Sequence, residues 1–400
     1  MKTVFLTGGS GAVGSAIVPV LLKDPALRLI LLLRPAPGRS VSDRFGELKT
    51  FWAGYGRGTA AWDRVEVVSG DVSQDRLGLS PETYHGLAKK MTHIVHGAAE
   101  VKLNMTREEA HRSSVATTVH VLRLAQDAPG LEKMEYLSTV GVAGTTEGAI
   151  PERRMTEFRT FHNTYESSKA EAEELVWSAM DRGLPATLHR PSMVVGDSRD
   201  GRTLHFQVFY HLMEFLSGRA TGGWVPRLPQ FRLDAVPNDF VARAVAASVN
   251  NPLWAGQVLH LAAGRDGSLS LDEYVAELPR LLTNAGLPTR APRRFPWGLF
   301  KALVPLAALA APAHRRKSFR HLPRFLSYLK EDTFFENQNA QRLLASEGLS
   351  LPNIKNSLSP IIAYYVSNKT ERPQSSDKPP VSTEHVSPIP SSRRKPGSSV

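Results

Sequence analysis

The chain has no cysteine. Disulfides, zinc–thiolate sites and thiol nucleophiles are thereby excluded, in keeping with a reducing, cytoplasmic setting. It also lacks any run of about 18 uninterrupted apolar residues of the kind a membrane-spanning helix needs. The first strand-like stretch, Thr3 to Leu6, begins almost at Met1, so no cleavable signal is expected ahead of it. Between Arg290 and Lys330 there is no Asp or Glu, while Arg293, Arg294, Lys301, Arg315, Arg316, Lys317, Arg320 and Arg324 fall inside that interval. This stretch supplies most of the formal net charge of +11. The excess is thus local: it argues against a nucleic-acid-binding molecule and for one anion-attracting patch.

What remains is the composition of an ordinary globular protein. A chain of 400 residues with 42% hydrophobic and 22% charged side chains can bury a large core in one big domain or two modest ones. Short apolar stretches at Thr3–Leu6, Leu27–Leu33, Val65–Val68, Ile94–Val95, Met134–Leu137 and Thr187–His189 read as strands. Helix-length stretches lie between most of them, at Gly11–Lys23, Ser113–Gln126 and Ser167–Arg182. That alternation implies βαβ units: an α/β fold with a doubly wound parallel sheet of the Rossmann kind. Residues 1–265 are expected to form this domain, with insertions at about 197–235 serving a smaller substrate domain. Residues 266–366 are expected to be a mainly helical substrate-binding region. There Leu271–Ala285 reads as a helix capped by Ser270, with Asp272 and Glu273 in its first turn. From Ser367 to Val400 the chain is rich in Ser, Pro and Lys/Arg, and disorder is expected.

Two motifs carry chemistry. Thr7-Gly8-Gly9-Ser10-Gly11-Ala12-Val13-Gly14 follows the first strand and opens a helix, and its glycines at 8, 11 and 14 have dinucleotide-binding spacing. Gly8 permits the tight turn, Gly11 lets the backbone approach a pyrophosphate, and Gly14 allows close packing of helix on strand. The helix N-terminus then presents free N–H groups to phosphate. An acidic residue at the end of the second strand would select the ribose 2′-hydroxyl of NADH. Here the strand ends in Arg34, followed by Arg39 and Arg44, which favours NADPH over NADH. Asp71 and Val72, after the third strand, are placed to border the adenine, although Gly70-Asp71 is also good turn chemistry.

The second motif is Tyr165-Glu166-Ser167-Ser168-Lys169. On a helix, residues four apart share a face, so phenol and ammonium lie side by side. Carbonyl reduction needs a proton donor at oxygen as hydride reaches carbon, and a nearby ammonium makes a phenol a better one. Alone, such a pair is often just an exposed Tyr–Lys contact; it gains weight from its distance beyond the glycine motif. The strand before it ends in Ser138 and Thr139, either of which could hold a substrate oxygen beside Tyr165.

With these stretches the chain resembles the extended short-chain dehydrogenase/reductases. More narrowly it is similar to the branch of thioester reductase domains and fatty acyl-CoA reductases, the male sterility group. The resemblance rests on Gly70-Asp71-Val72-Ser73 with Leu77-Gly78-Leu79-Ser80, Val95-His96-Gly97-Ala98-Ala99, Leu137-Ser138-Thr139-Val140, and Arg190-Pro191-Ser192-Met193-Val194-Val195-Gly196-Asp197. Leu233-Asp234-Ala235-Val236-Pro237-Asn238-Asp239-Phe240 completes it, so that it covers roughly residues 1–265. It implies Tyr165 as proton donor, Lys169 as its partner and a contact of the nicotinamide ribose, and Thr139 rather than Ser138 as the substrate-binding hydroxyl. Gly97, Ala98 and Ala99 would flank the cofactor, and Pro191, Ser192 and Met193 would line the nicotinamide. One helix position that is often Asn in extended members is Ser114 here. The implied reaction is NADPH-dependent reduction of an acyl thioester, acyl-CoA or carrier-protein-bound, to aldehyde or alcohol; reduction of a ketone by the same residues is the alternative. Under this reading the basic stretch 290–330 is a docking face for an anionic carrier protein or coenzyme A, an interfacial patch touching a membrane, or simply a solvated helical face.

Overall fold

The computed structural model describes residues 1–53, 59–227, 231–299 and 333–371. Its centre is a seven-stranded sheet: β1 (Lys2–Thr7), β2 (Leu27–Leu33), β3 (Val65–Ser69), β4 (His93–His96), β5 (Lys133–Leu137), β6 (Ala186–Pro191) and β7 (Val258–Leu261). The order is β7-β6-β5-β4-β1-β2-β3, and every pairing is parallel. The chain runs outward from β1 through β2 to β3, then returns to β1's other side for β4. That reversal opens a crevice at the carboxyl ends of β1 and β4, where open α/β sheets bind ligands.

The six strands expected from the sequence are present with small shifts at their ends. β7 is the one the pattern does not reveal: Val258-Leu259-His260-Leu261 is only four residues long, and His260 interrupts its apolar character although it is fully buried. Helices cover both faces. On one face, helix Gly14–Leu21 packs with helix Asn238–Asn250 around Ile17, Val18, Val241 and Val245. On the other, Val121, Leu124 and Val176 cover Phe5, Ile94 and Tyr136.

A second apolar cluster unites three separate stretches: helix Val208–Leu216, helix Leu271–Asn284 and the last helix, Ile354–Glu371. Ser270 caps the middle one reciprocally, its hydroxyl accepting from Glu273 N at 3.2 Å while the Glu273 carboxylate accepts from Ser270 N at 2.8 Å. The last helix runs through residues 367–371, where disorder was expected to begin. Its buried Ile361, Ile362, Tyr365 and Val366 fasten it to this cluster and carry it past the change in composition. The remainder of the expected tail, 372–400, lies outside the described residues, as does most of the basic stretch, 300–330. What is seen of that stretch includes a short strand, Arg293–Phe295, paired in parallel with Trp224–Pro226.

The expected helix Ser113–Gln126 also differs. It starts earlier, at Arg107, with a reciprocal cap between Thr106 and Glu109, and it widens into a π-turn at Arg112–Ala116 before continuing as Thr117–Gln126. Such π-turns often mark functional sites; this one places Ser114 fully inside, against helix Thr164–Met180.

Candidate active site

The glycine motif forms the turn between β1 and helix Gly14–Leu21. Gly8 has φ of +79°, and a Cβ there would meet the Gly97 carbonyl carbon at 2.6 Å. A Cβ on Gly14 would fall 2.2 Å from the Gly8 carbonyl oxygen, so neither position accepts another residue. The helix has no side-chain cap at Val13, the arrangement by which a helix N-terminus can receive an anion. Its helical residues begin at Gly14 rather than Gly11, the glycines themselves forming the approach.

Two adjoining cavities meet at this turn, one of about 1860 Å³ and one of about 860 Å³, sharing Gly8, Gly11, Ala12, Gly97 and Ala99. The larger holds Thr7, Ser10, Arg34, Arg44, Asp71, Val72 and Ala98 in its wall. Arg44 donates to the Ser10 hydroxyl at 3.1 Å and also to the carbonyl of Arg34, so it bridges the glycine turn and the end of β2. Burial, then the like charges of Arg39 and Arg34, hold the Arg44 guanidinium below its ordinary pKa. Asp71 accepts from Ser73 N and the Ser73 hydroxyl and lies 3.6 Å from Arg34. Gly9 takes no part in the cavity walls; a Cβ on it would strike Leu31 Cδ1 at 2.2 Å, so it is a packing position.

The smaller cavity holds Val13, Gly14, Thr139, Tyr165, Lys169, Pro191, Ser192 and Met193. Helix Thr164–Met180 begins at Asn163, whose side chain accepts from Glu166 N at 3.0 Å. That cap fixes the first turn and hence the aim of Tyr165. Tyr165, Lys169 and Glu173 stand one above another on a single face. Thr139 lies two residues past the end of β5, and its hydroxyl oxygen accepts from Gly141 N at 3.1 Å, leaving its proton free to turn toward Tyr165 or the cavity. Burial pushes the Tyr165 phenol above its usual range, Glu166 adds to this, and the Thr139 bond opposes it.

The structure separates the two hydroxyls that the sequence left side by side. Ser138 points the other way, donating to Glu173, while Thr139 faces the cavity with Tyr165. Lys169 is buried, and burial pushes it down to about 8 against the pull of Glu173. Its ammonium donates to the Leu137 carbonyl at 2.7 Å and the Tyr136 hydroxyl at 3.3 Å.

Sequence reasoning passed over the buried partners beneath this face. Glu173 accepts from Arg190 at 2.5 and 3.1 Å and from Trp177 Nε1 at 3.2 Å; Arg190 continues to His260 Nε2 at 3.2 Å. Arg190 immediately precedes Pro191, so one buried ion pair ties helix Thr164–Met180 to the strand end expected to line the nicotinamide. The signal available was Glu173 at the third step of the Tyr165–Lys169 spacing. His96, at the end of β4, pairs with the Thr7 hydroxyl at 2.7 Å, and burial and the Lys169 charge push it down to about 3. Among the described residues no group of side chains could hold a metal ion, and no helix is long and apolar enough to cross a membrane.

A parallel sheet with a glycine-rich first turn and a Tyr–Lys helix facing the same crevice defines an NAD(P)-binding Rossmann oxidoreductase of the extended short-chain dehydrogenase/reductase type. The family model of the male sterility protein matches residues 6–245, and the chain belongs to that family. It is 26% identical to the reductase (R) domain of a nonribosomal peptide synthetase from Mycobacterium tuberculosis, with a TM-score of 0.71 over 92% of both chains. The terminal R domain of the myxalamid PKS-NRPS pathway shares the fold, with a TM-score of 0.75 over 92% of this chain and 91% of that one, at 24% identity. Over 384 residues the chain is 30% identical to the isonitrile lipopeptide synthase of M. tuberculosis, covering 88% of itself and 14% of that protein. Against the glycine betaine reductase of Emericella nidulans the identity is 29%, over 65% of this chain and 21% of the relative. The chain thus spans 14% and 21% of the length of these two curated relatives.

Proposed function

We propose that this protein reduces an acyl thioester, presented by a phosphopantetheinyl carrier protein or as acyl-CoA, with NADPH as reductant. The observation that carries the reading is the convergence of Thr139, Tyr165 and Lys169 on a cavity continuous with the glycine turn. The relatives named as nonribosomal peptide synthetase R domains support the thioester as substrate and the carrier protein as its bearer.

The residues present fit the cofactor. Gly8 and Gly14 shape a turn that tolerates no side chain, and Arg34, Arg44 and Ser10 gather where a 2′-phosphate would lie. NADPH supplies the hydride when bound. Gly97, Ala98 and Ala99 would flank its dinucleotide, Asp71 and Val72 would border its adenine, and Pro191, Ser192 and Met193 would line its nicotinamide side. Thr139 donates a hydrogen bond to the thioester oxygen as negative charge develops there. Tyr165 gives that oxygen its proton, and the charge of Lys169 favours the phenolate left behind. The resulting hemithioacetal collapses to an aldehyde and a free thiol, and a second round gives the alcohol.

The test follows NADPH oxidation with a panel of acyl-CoAs and acyl-loaded carrier proteins, and identifies the products. Turnover of at least one thioester is expected, and Tyr165→Phe should lower kcat by about 10²–10⁴-fold with NADPH binding retained. Oxidation of NADPH by ketones but by no thioester would establish the alternative, an extended dehydrogenase acting on ketones or alcohols.

A further inference from the structure

We infer that Tyr136 is the positioning residue for Lys169: its phenolic oxygen is an oriented acceptor that fixes the ammonium, and Thr118 with the Ser114 carbonyl sets that orientation. The inference rests on the reading of Tyr165 and Lys169 as the catalytic pair.

The direction of each hydrogen bond follows from the end of the chain. A backbone carbonyl only accepts, and Thr118 Oγ1 donates to the Ser114 carbonyl at 2.7 Å. The Thr118 proton is then committed, so the 3.3 Å contact between Thr118 Oγ1 and the Tyr136 hydroxyl has Tyr136 as donor. With its own proton turned to Thr118, the Tyr136 oxygen presents lone pairs to Lys169 Nζ, 3.3 Å away. An ammonium has three N–H groups. One goes to Tyr136, one to the Leu137 carbonyl, and the third is left for the cavity that Tyr165 shares. The Tyr136 ring also lies beneath the charge, its centroid 4.6 Å from Nζ.

None of these groups is open to water: Tyr136 is 0% exposed, Ser114 and Thr118 1% and Lys169 4%. The chain of hydroxyls therefore ends inside the π-turn and serves to hold the ammonium rather than to conduct protons to solvent. Thr118 reaches back one helical turn to the Ser114 carbonyl, and Ser168, next to Lys169, bonds the Ser114 hydroxyl at 3.2 Å. The charged and titratable groups facing Lys169 are Tyr165 and Glu173 on its own helix, Tyr136 on β5 and His96 on β4. Of these, only Glu173, itself paired with Arg190 of β6, carries a compensating negative charge.

Tyr136→Phe keeps the ring and removes only the acceptor. Wild-type kcat/KM should fall as pH rises through about 8, where Lys169 loses its proton. In Tyr136→Phe the fall should come about one pH unit earlier, because a lost acceptor disfavours the charged form. For such a shift, activity would be about fivefold below wild type at pH 8 and within about twofold at pH 6. Thr118→Val, which keeps the phenol but removes what orients it, should move the fall the same way by less. A Tyr136→Phe profile that superimposes on wild type, or one lowered equally at every pH, overturns the inference, and unchanged melting temperatures show that folding is not the cause. Should Tyr165→Phe stay active, the catalytic reading itself fails; should it be inactive while Tyr136→Phe matches wild type, this inference alone fails.

Discussion

The two ends of the cleft are built on opposite plans. At the end proposed to be catalytic, Thr139, Tyr165 and Lys169 are held by partners that are themselves held: Gly141, Tyr136, Leu137 and Glu173. At the adenosine end, Arg34 is largely exposed, and Arg44 is depressed by burial and by the nearness of Arg39 and Arg34. The first arrangement is complete before any ligand arrives, which is what stabilising a developing charge requires, since dipoles fixed in advance need no reorganisation. The second is a concentration of like charge that an anion would relieve. One end is fixed by buried bonds; at the other, the exposed side chains of Arg34 and Arg39 are held by ion pairs with Asp71 and Glu47.

The comparison breaks most visibly at Glu173. Its carboxylate is the centre of the buried network, joining Ser138, Trp177 and Arg190. Glu173→Gln leaves the guanidinium of Arg190, which is 0% exposed, without its counter-charge. Removing one partner of a buried pair typically costs about 3–5 kcal/mol, so a large drop in stability is expected in chemical denaturation. A loss below about 1 kcal/mol, the range of exposed pairs, would show that the catalytic end does not depend on this network.

How far each end could be read from sequence follows from the same contrast. The glycine turn, the Tyr165–Lys169 spacing and the row of arginines after β2 are local patterns, and the structure places them on one cleft. The buried partners are not local. Lys133 and Glu135 alternate with Met134 and Tyr136 along β5, as solvent-facing residues of a half-exposed strand would, yet they are 1% and 0% exposed. They are buried because β5 lies inside the sheet with helices on both faces, and because Lys133 finds the carbonyls of Ser248 and Asn251 while Glu135 finds His189 and Ser248. These partners come from 54 to 118 residues away along the chain, beyond the reach of any periodicity. The π-turn at Ser114 was hidden for a related reason: its sequence, Arg112-Ser113-Ser114-Val115-Ala116, carries no breaker, and tertiary packing against helix Thr164–Met180 accompanies the widening.

At the adenosine end the largest effect should come from Arg44. Hydrogen bonds to charged groups contribute about 1.5–3 kcal/mol, so Arg44→Ala should raise KM for NADPH by about 10–150-fold. It should change KM for NADH far less, because only NADPH would carry the 2′-phosphate that the guanidinium meets beyond its bonds to Ser10 and the Arg34 carbonyl. Steady-state kinetics with both cofactors checks this, and an equal loss for the two would mean that Arg44 supports the glycine turn through Ser10 instead of reading the phosphate.

A smaller effect sharpens the contrast further. Asp71 is the only carboxylate recorded in an ion pair with Arg34 among the described residues, at 3.6 Å, and it competes with any phosphate for that guanidinium. Burial alone would raise the Asp71 carboxyl, but bonds from Ser73 and the charge of Arg34 outweigh it and hold it below the usual carboxylate range. It is therefore ionised throughout the neutral region and the competition is permanent there. Asp71→Asn keeps an oxygen to accept from Ser73 while removing the charge. The Arg34 side chain is 61% exposed, and pairs of that kind are worth about 0.2–1 kcal/mol. The preference for NADPH over NADH, measured as a ratio of kcat/KM values, should accordingly rise by no more than about fivefold. An unchanged ratio, with kcat/KM lowered alike for both cofactors, would place Asp71 among the groups that hold the adenosine common to both rather than among those that restrain Arg34.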